Sequence, residues 1–457
     1  MKTVREETLH ERVAEAMALG YPDIVRRIGE FLIEGRETEL YAVRPEKFAR
    51  ERGLNRMRTV KAFLLLTKTG VFDLRWTVHC PHCKGGSQES SSLADLARDS
   101  FCPLCKMGYE ADFDRSVELS FQVNPAVVAL EGTDPFDLSM ASMDLEPGVG
   151  MEIDPAEEHF IEYRIAQGNY LLVDKADRVV VNFAVASGEE TAQKYGFTFG
   201  EDCPPIQVVS LKPGTLRLRI ENRRSKPADF LFARMADPEW IDAALATTLQ
   251  EFRDFFSKEM LSPQETFSIR NLAVIFTDIK GSTEMYERLG DSKAFYLVKE
   301  HFKIMEDVVR RNDGGIVKTI GDAVMAVFRR PDQAIDAARE MIDRFDAFNL
   351  ENKTKDQIVI KVGVHAGPCI AVTLNERIDY FGTSVNTAAR IQGLSDGRDV
   401  MVSERFFRES GAARSLKASG WVWESFTTSL KGLKGAQEVY KLVKAPETRL
   451  PEALRSR

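Results

Sequence analysis

No run of apolar residues in this 457-residue chain approaches the roughly 18 to 20 needed to cross a bilayer as a helix. The N-terminal stretch MKTVREETLHERVAE is charged throughout and has no apolar segment of the secretory kind. A soluble, cytoplasmic protein without a membrane partner is therefore expected. A net positive charge is also missing: 62 lysines and arginines face 70 aspartates and glutamates, a formal balance of -8. That balance argues against a protein that coats nucleic acid or anionic lipid. Six cysteines are too few for a disulfide framework in so long a chain. The length exceeds what one core normally serves, so several domains are expected.

What is present is a succession of segments with different periodicities. Residues 1–75 read as helical, with Leu9, Val13, Met17, Ile24, Ile28, Phe31 and Leu32 near helical spacing. Gly53 separates two short helical stretches and Gly70–Thr77 follows as a wing, an arrangement that is helix-turn-helix-like and winged-helix-like. Seven basic residues there (Arg44, Lys47, Arg50, Arg52, Arg56, Arg58 and Lys61) are the one local hint of nucleic acid. Residues 113–236 are β-rich, with runs such as Tyr170–Val173, Val179–Val185 and Arg217–Asn222 between glycine- and proline-marked turns, as in a small sandwich-like regulatory domain. Within it, 132–150 reads as an exposed loop. In 237–268, Ile241, Leu245, Leu249, Phe252, Phe256 and Met260 form one apolar stripe and predict a single connecting helix. Residues 269–445 alternate strand, helix, strand, strand, helix, strand, which is the order of a ferredoxin-like α+β sandwich.

Between these segments, residues 76–112 carry Cys80-Pro81-His82-Cys83 and Cys102-Pro103-Leu104-Cys105, a C-x2-C-x18-C-x2-C pattern. Four thiolates at that spacing suit tetrahedral zinc and leave no open position, so a structural zinc ribbon is expected. The metal would staple a segment that has little apolar core of its own. His79 and His82 flank the first knuckle and read as bystanders; Cys203 and Cys369 stand alone.

The chemistry concentrates in the last segment. Asp278 follows the apolar run Leu272–Phe276, and Asp322 follows Gly321 at what reads as a hairpin. Either carboxylate alone could simply cap a neighbouring helix. Together on adjacent strand ends they suit hard divalent cations that also take oxygens from substrate phosphates, which points to phosphoryl transfer. A third segment, Asp379-Tyr380-Phe381-Gly382-Thr383-Ser384-Val385-Asn386-Thr387-Ala388-Ala389-Arg390, places Asn386 and Arg390 four apart on one face of a predicted helix.

In order and spacing, these three motifs resemble the catalytic domain of the class III nucleotidyl cyclases. The resemblance implies that Asp278, Asp322 and the backbone carbonyl of Ile279 hold two magnesium or manganese ions. It implies that Lys318 and Asp379 contact the purine, Asn386 positions the ribose, and Arg390 meets the α-phosphate. Lys431, in Leu430-Lys431-Gly432, matches a lysine that holds the terminal phosphates. It further implies a homodimer, because family active sites draw their metal aspartates from one protomer and their purine and arginine groups from the other. One departure stands out: Ala371–Arg377 lacks the glycines common in the family, and Arg377 reads as a surface charge.

Base preference follows from donors and acceptors. Adenine presents an acceptor at N1 and an amino donor at N6, complementary to an ammonium and a carboxylate. Guanine reverses that pattern, so Lys318 with Asp379 favours ATP over GTP. An adenylate cyclase producing cyclic AMP is the leading expectation, with residues 1–236 answering an unidentified regulatory ligand or protein. A nucleic-acid-binding regulator with a nucleotide-sensing cyclase-like domain, and a guanylate cyclase, are the competing ones.

Overall fold

The computed structural model describes residues 2–81, 84–102, 107–130, 145–174, 179–200, 206–236, 240–352, 357–413, 416 and 419–445. The chain forms two compact units, and the division does not follow the sequence. One comprises Met1–Ser91, Leu96–Ala111 and Arg115–Ile241; the other comprises Ser92–Asp95, Asp112–Asp114 and Asp242–Arg457. Among the described residues no helix is long and apolar enough to cross a membrane.

The first unit opens with helices Glu6–Leu19, Pro22–Glu34, Pro45–Glu51 and Arg56–Lys68. Proline at the first turn of the second and third, and an Asn55 side chain that accepts from Arg58 N at 3.0 Å, start them where the sequence indicates. The fourth helix is buried continuously from Thr59 to Leu66, so it serves as the spine. Phe31, Phe48, Phe63, Phe72 and Phe121 join ring to ring with centroids 5.0 to 6.2 Å apart. The strand Phe72–His79, expected as part of a wing, lies instead inside a four-stranded sheet between Val117–Val123 and Gly86–Ser90. Its Phe72, Leu74, Trp76 and Val78 are all buried, and a strand paired on both sides has no free edge to enter a groove.

The basic cluster is largely answered internally. Arg44 donates to Glu118 at 2.5 and 3.0 Å, Arg56 meets Glu46 at 3.1 Å, and Arg58 meets Asp23 at 3.4 Å. Burial opposes the charge of Glu118, but Arg44 and then His79 outweigh it and bring its pKa down to about 2. His79 touches Glu118 at 2.6 Å and Lys84 O at 3.0 Å, and stacks on Trp240 with centroids 4.3 Å apart. Cys80 and Cys102 are buried together against Tyr109, beside the hairpin Asp99–Cys102 and Met107–Glu110. Cys83 and Cys105 lie outside the described residues.

In the same unit, a five-stranded sheet (Ile206–Leu211, Val179–Val185, Gly168–Asp174, Ala228–Arg234, Val149–Ile153) and a three-stranded sheet (Thr191–Phe199, Gly214–Asn222, Glu158–Ile165) share one core that includes Phe183, Phe199, Leu218 and Phe232. Two of its pairings, Val179–Val185 with Ile206–Leu211 and Thr191–Phe199 with Gly214–Asn222, are parallel. Each parallel pair requires a crossover and not a hairpin. Most of the 132–150 stretch lies outside the described residues.

The second unit begins with α1 (Ala243–Thr248) and α2 (Gln250–Phe255). The single connecting helix expected over 237–268 is thus corrected to two short ones, broken where Leu249 turns extended (ψ 134°). Thr247 and Thr248 turn their hydroxyls back onto the carbonyls of Ala243 and Leu245, a side-chain competition that weakens helix continuation. Then follow β1 (Phe267–Ile279), α3 (Ser282–Leu289), α4 (Asp291–Arg311), β2 (Gly314–Ile320), β3 (Ala323–Phe328), α5 (Pro331–Asn352), β4 (Ile360–Leu374), β5 (Arg377–Phe381), α6 (Thr383–Gln392), β6 (Val400–Ser403), α7 (Glu404–Glu409), β7 (Trp421–Ser429) and β8 (Ala436–Lys444). The sheet runs β2-β3-β1-β4-β6-β8-β7, with β5 paired to β4. Its first four strands stand in ferredoxin-like order, and α4 and α5 bury Val298, Met305, Ala338 and Met341 in one core with Ile275, Val324 and Val364. Upstream residues complete this unit: Phe113 packs on Phe267 with centroids 5.4 Å apart, and Asp114 accepts from Arg270 N at 3.1 Å.

Among the described residues, this unit buries a histidine that has no hydrogen-bond partner. His301, on α4, is fully buried between Phe302 and Phe345, with neither ring nitrogen hydrogen-bonded. Burial pushes its pKa down from 6.5 to about 4, and burial does the same to His365. The unfolded chain takes up these protons near pH 6.5 while the fold refuses them until about pH 4. Stability is therefore present above 6.5 and lost as pH falls, by about 3 kcal/mol for His301 at pH 4. His301→Leu is expected to flatten this acid limb in thermal melts between pH 7 and 4; a limb as steep as that of the parent would refute the assignment.

Candidate active site

Asp278 stands at the end of β1, and Asp322 at the β2–β3 turn, which Gly321 makes possible with φ +64°. An Asp322 oxygen accepts from Ile279 N at 3.2 Å, fixing the turn against the strand end. Burial, and then the adjacent Asp322 carboxylate, push the Asp278 pKa above the ordinary carboxylate value. Two carboxylates and a strand-end carbonyl form an all-oxygen donor set whose crowded charge a hard divalent cation would relieve. Among the described residues no group of three or more His, Cys, Asp or Glu side chains gathers at one point.

Lys318, on β2, and Asp379, on β5, are brought together from 61 residues apart, with Nζ 2.6 Å from Oδ2. Asp379 is buried, and its other oxygen accepts from Tyr380 N at 2.8 Å. The Lys318 ammonium also lies 5.2 Å from the centre of the Phe381 ring. The two side chains thus present an ammonium and a carboxylate side by side on a fixed backbone.

Asn386 and Arg390 lie on α6, as their spacing predicts, with Asn386 exposed and Arg390 half-buried. The exposed Lys431 sits in the β7–β8 connection beside Gly432, whose φ is +79°. A Cβ on Gly432 would stand 3.2 Å from Arg390 Nη2, so the Lys431-Gly432 turn passes directly over the guanidinium. No hydrogen bond or ion pair among the described residues links Asp278 or Asp322 to Asn386 or Arg390. The Ala371–Arg377 segment without glycines forms a tight hairpin in which Asn375 and Glu376 both take positive φ (50° and 57°), and Arg377 is exposed. Lys280, His365 and Cys369 stay outside this chemistry. Lys280 donates to Asp396 O at 2.7 Å, His365 bonds Ser403 at 2.7 Å, and burial pushes the Cys369 thiol up to about 12.

What the sequence does not disclose is how α1 and α2 dock. Tyr380 is fully buried and donates its hydroxyl to Thr247 at 2.9 Å, so the connecting segment reaches the residue next to Asp379. An apolar stripe marks that segment as amphipathic but carries no signal for a partner more than a hundred residues away.

A ferredoxin-like sheet carries paired strand-end carboxylates, a lysine–aspartate pair and an asparagine–arginine helix face, the features in which this segment resembles a class III nucleotidyl cyclase domain. Residues 265–443 match the adenylate and guanylate cyclase catalytic domain, and residues 9–146 match a family of unknown function (DUF5939). The chain is 30% identical to an adenylate cyclase of Anabaena cylindrica over 38% of its own length and 39% of the relative's. It is 25% identical to guanylate cyclase 32E of Drosophila melanogaster over 41% of its length and 17% of the relative's. Among solved structures, the adenylyl cyclase CyaB from P. aeruginosa aligns with 40% of this chain and 97% of that one, at 23% identity and a TM-score of 0.35. The chain thus spans well under half the length of these curated relatives.

Proposed function

We propose that the protein is an adenylate cyclase that converts ATP to cyclic AMP and pyrophosphate at sites shared between two copies of the chain. The observation that carries the choice of base is the Lys318–Asp379 contact at 2.6 Å. An ammonium beside a carboxylate complements N1 and N6 of adenine and opposes the reversed pattern of guanine. Asp278, Asp322 and the Ile279 carbonyl would hold the divalent cations. Bound there with the nucleotide, magnesium or manganese supplies charge neutralisation at the phosphates and a lower pKa for the ribose 3′-hydroxyl.

The protein's own groups do the positioning. Asn386 orients the ribose so that its 3′-oxygen faces the α-phosphorus in line with the departing pyrophosphate. Arg390 donates to the α-phosphoryl oxygens, where negative charge grows as the bond forms. Lys431, over the same guanidinium, holds the terminal phosphates until they leave. Arg390 and the carboxylates would serve one nucleotide only when a second copy completes the site. Purified protein given ATP and manganese is expected to form cyclic AMP in excess over cyclic GMP from GTP. Absence of product at micromolar enzyme would end this reading, and a preference for GTP would replace it with a guanylate cyclase.

Structural zinc on Cys80, Cys83, Cys102 and Cys105 belongs to the same proposal, supported by the burial of Cys80 against Cys102. One zinc per chain is expected on thiol modification, and its removal should loosen residues 76–112 to protease. Much less than one per chain sinks the ribbon. A nucleic-acid role is not proposed, because Arg44, Arg56 and Arg58 already answer carboxylates.

A further inference from the structure

The strands that carry Lys318 and Asp379 are not neighbours in the sheet. β2 pairs with β3, and β5 pairs with β4; among the described strands no ladder joins β2 to β5. The 2.6 Å spacing of the two side chains therefore needs another device to hold it. Arg253, on α2, is placed to be that device. Its guanidinium is engaged by main-chain oxygens of both strands and of its own segment. Nε donates to Ile316 O at 3.0 Å, Nη2 to Ile378 O at 2.8 Å and Val317 O at 3.5 Å, and Nη1 to Thr247 O at 3.0 Å. Val317 and Ile378 are the residues immediately before Lys318 and Asp379.

Two further contacts hold α1 and α2 to the same two strands. Gln250 Oε1 accepts from Ile316 N at 2.7 Å, and the Tyr380 hydroxyl donates to Thr247 at 2.9 Å. Gly315 allows the approach: a Cβ there would stand 2.5 Å from Thr248 O and 2.8 Å from Arg253 Cδ. A planar guanidinium with five donors in a fixed fork can span carbonyls on two strands at set distances, which a single ammonium cannot.

We propose that Arg253 is a positioning residue for purine recognition: it bridges β2 and β5 so that Lys318 and Asp379 stand at the spacing the base reads. The inference rests on the reading of that pair as the purine-recognising groups. It makes nucleotide selectivity depend on a residue that touches no part of the nucleotide and lies outside the motifs of the catalytic domain.

The test uses the full-length protein, with initial rates on ATP and GTP. In Arg253→Met, KM for ATP is expected to rise and the ATP:GTP ratio of kcat/KM to fall, each on the order of tenfold, because sub-ångström misplacement of recognition groups is costly. The manganese concentration for half-maximal rate should stay unchanged, since Asp278 and Asp322 lie on other contacts. Arg253→Lys should recover part of the ratio through the carbonyls it still reaches. A folded Arg253→Met protein with lower kcat but parental KM and parental ATP:GTP ratio would overturn the proposal, because that is the signature of a merely structural residue. If Arg253→Met does not fold, Tyr380→Phe and Gln250→Ala decide the matter: the same shifts, smaller, support it, and parental values in both overturn it. Lys318→Ala and Asp379→Ala separate the two layers. An unmoved ratio in these variants refutes the purine-reading pair itself, whereas a ratio moved by them but not by the Arg253 series refutes only the bridge.

Discussion

Asp278→Ala and Arg390→Ala, each in the full-length chain, are expected to lose cyclase activity by about 10³-fold or more, and an equal mixture of the two is expected to regain it. The loss follows from what each group does. Removing Asp278 halves the carboxylate set at the β1 end and leaves Asp322 without the neighbour that makes the site attractive to a divalent cation. Removing Arg390 leaves charge on the α-phosphoryl oxygens unanswered at the moment it develops. Recovery follows from the division of labour proposed between copies. In a heterodimer one site receives both altered residues and the other receives neither. Random reassortment should restore about a quarter of the parental rate, since half of the dimers are mixed and each holds one intact site of two. No recovery, with mixed dimers demonstrated by mass spectrometry, would mean that each chain uses its own carboxylates and its own arginine.

The second large effect concerns the base. Lys318→Glu combined with Asp379→Ser is expected to shift the ATP:GTP ratio of kcat/KM toward GTP by about 10²-fold or more. A carboxylate at the first position accepts from the N1 and amino donors of guanine, while a small hydroxyl at the second leaves room for O6 and can donate to it. The single changes should be less informative than the pair. Asp379 is buried and bonded to Lys318, so removing either side chain alone strands the other. A double variant that folds, retains activity and keeps the parental ratio would show that the base is read elsewhere.

Much of the catalytic segment was legible because its signals are local. An aspartate at the mouth of an apolar strand, a glycine before an aspartate at a hairpin, and a polar pair four apart on a helix each declare themselves within a few residues. The meeting of Lys318 and Asp379 across 61 residues followed from resemblance and not from pattern. The rest depended on contacts that leave no mark on a linear pattern. Arg253 sits on an amphipathic helix like any surface arginine, yet its partners are backbone oxygens, which every sequence contains. The basic run from Arg44 to Lys61 read as a hint of nucleic acid because Glu118, which neutralises Arg44, lies 74 residues downstream. The break at Leu249 escaped because apolar spacing continued through it while the two threonines before it turned their hydroxyls onto the helix. The parallel pairings of the β-rich region were equally hidden, since alternation reveals a strand but not its neighbour.

The way the second unit gathers Ser92–Asp95 and Asp112–Asp114 into itself bears on how such a chain can be rearranged by recombination or by design. A domain with a single junction can be exchanged whole. This one has seams at several places along the polypeptide, and a cut before Phe267 would strip away Phe113, whose ring covers that residue, and Asp114, which holds the Arg270 amide. The upstream half is therefore not a cartridge that could be swapped for another domain at one splice point. Any chimera that keeps the cyclase segment must also keep, or rebuild, the two short upstream segments, which ties the inheritance of the upstream residues to that of the catalytic ones.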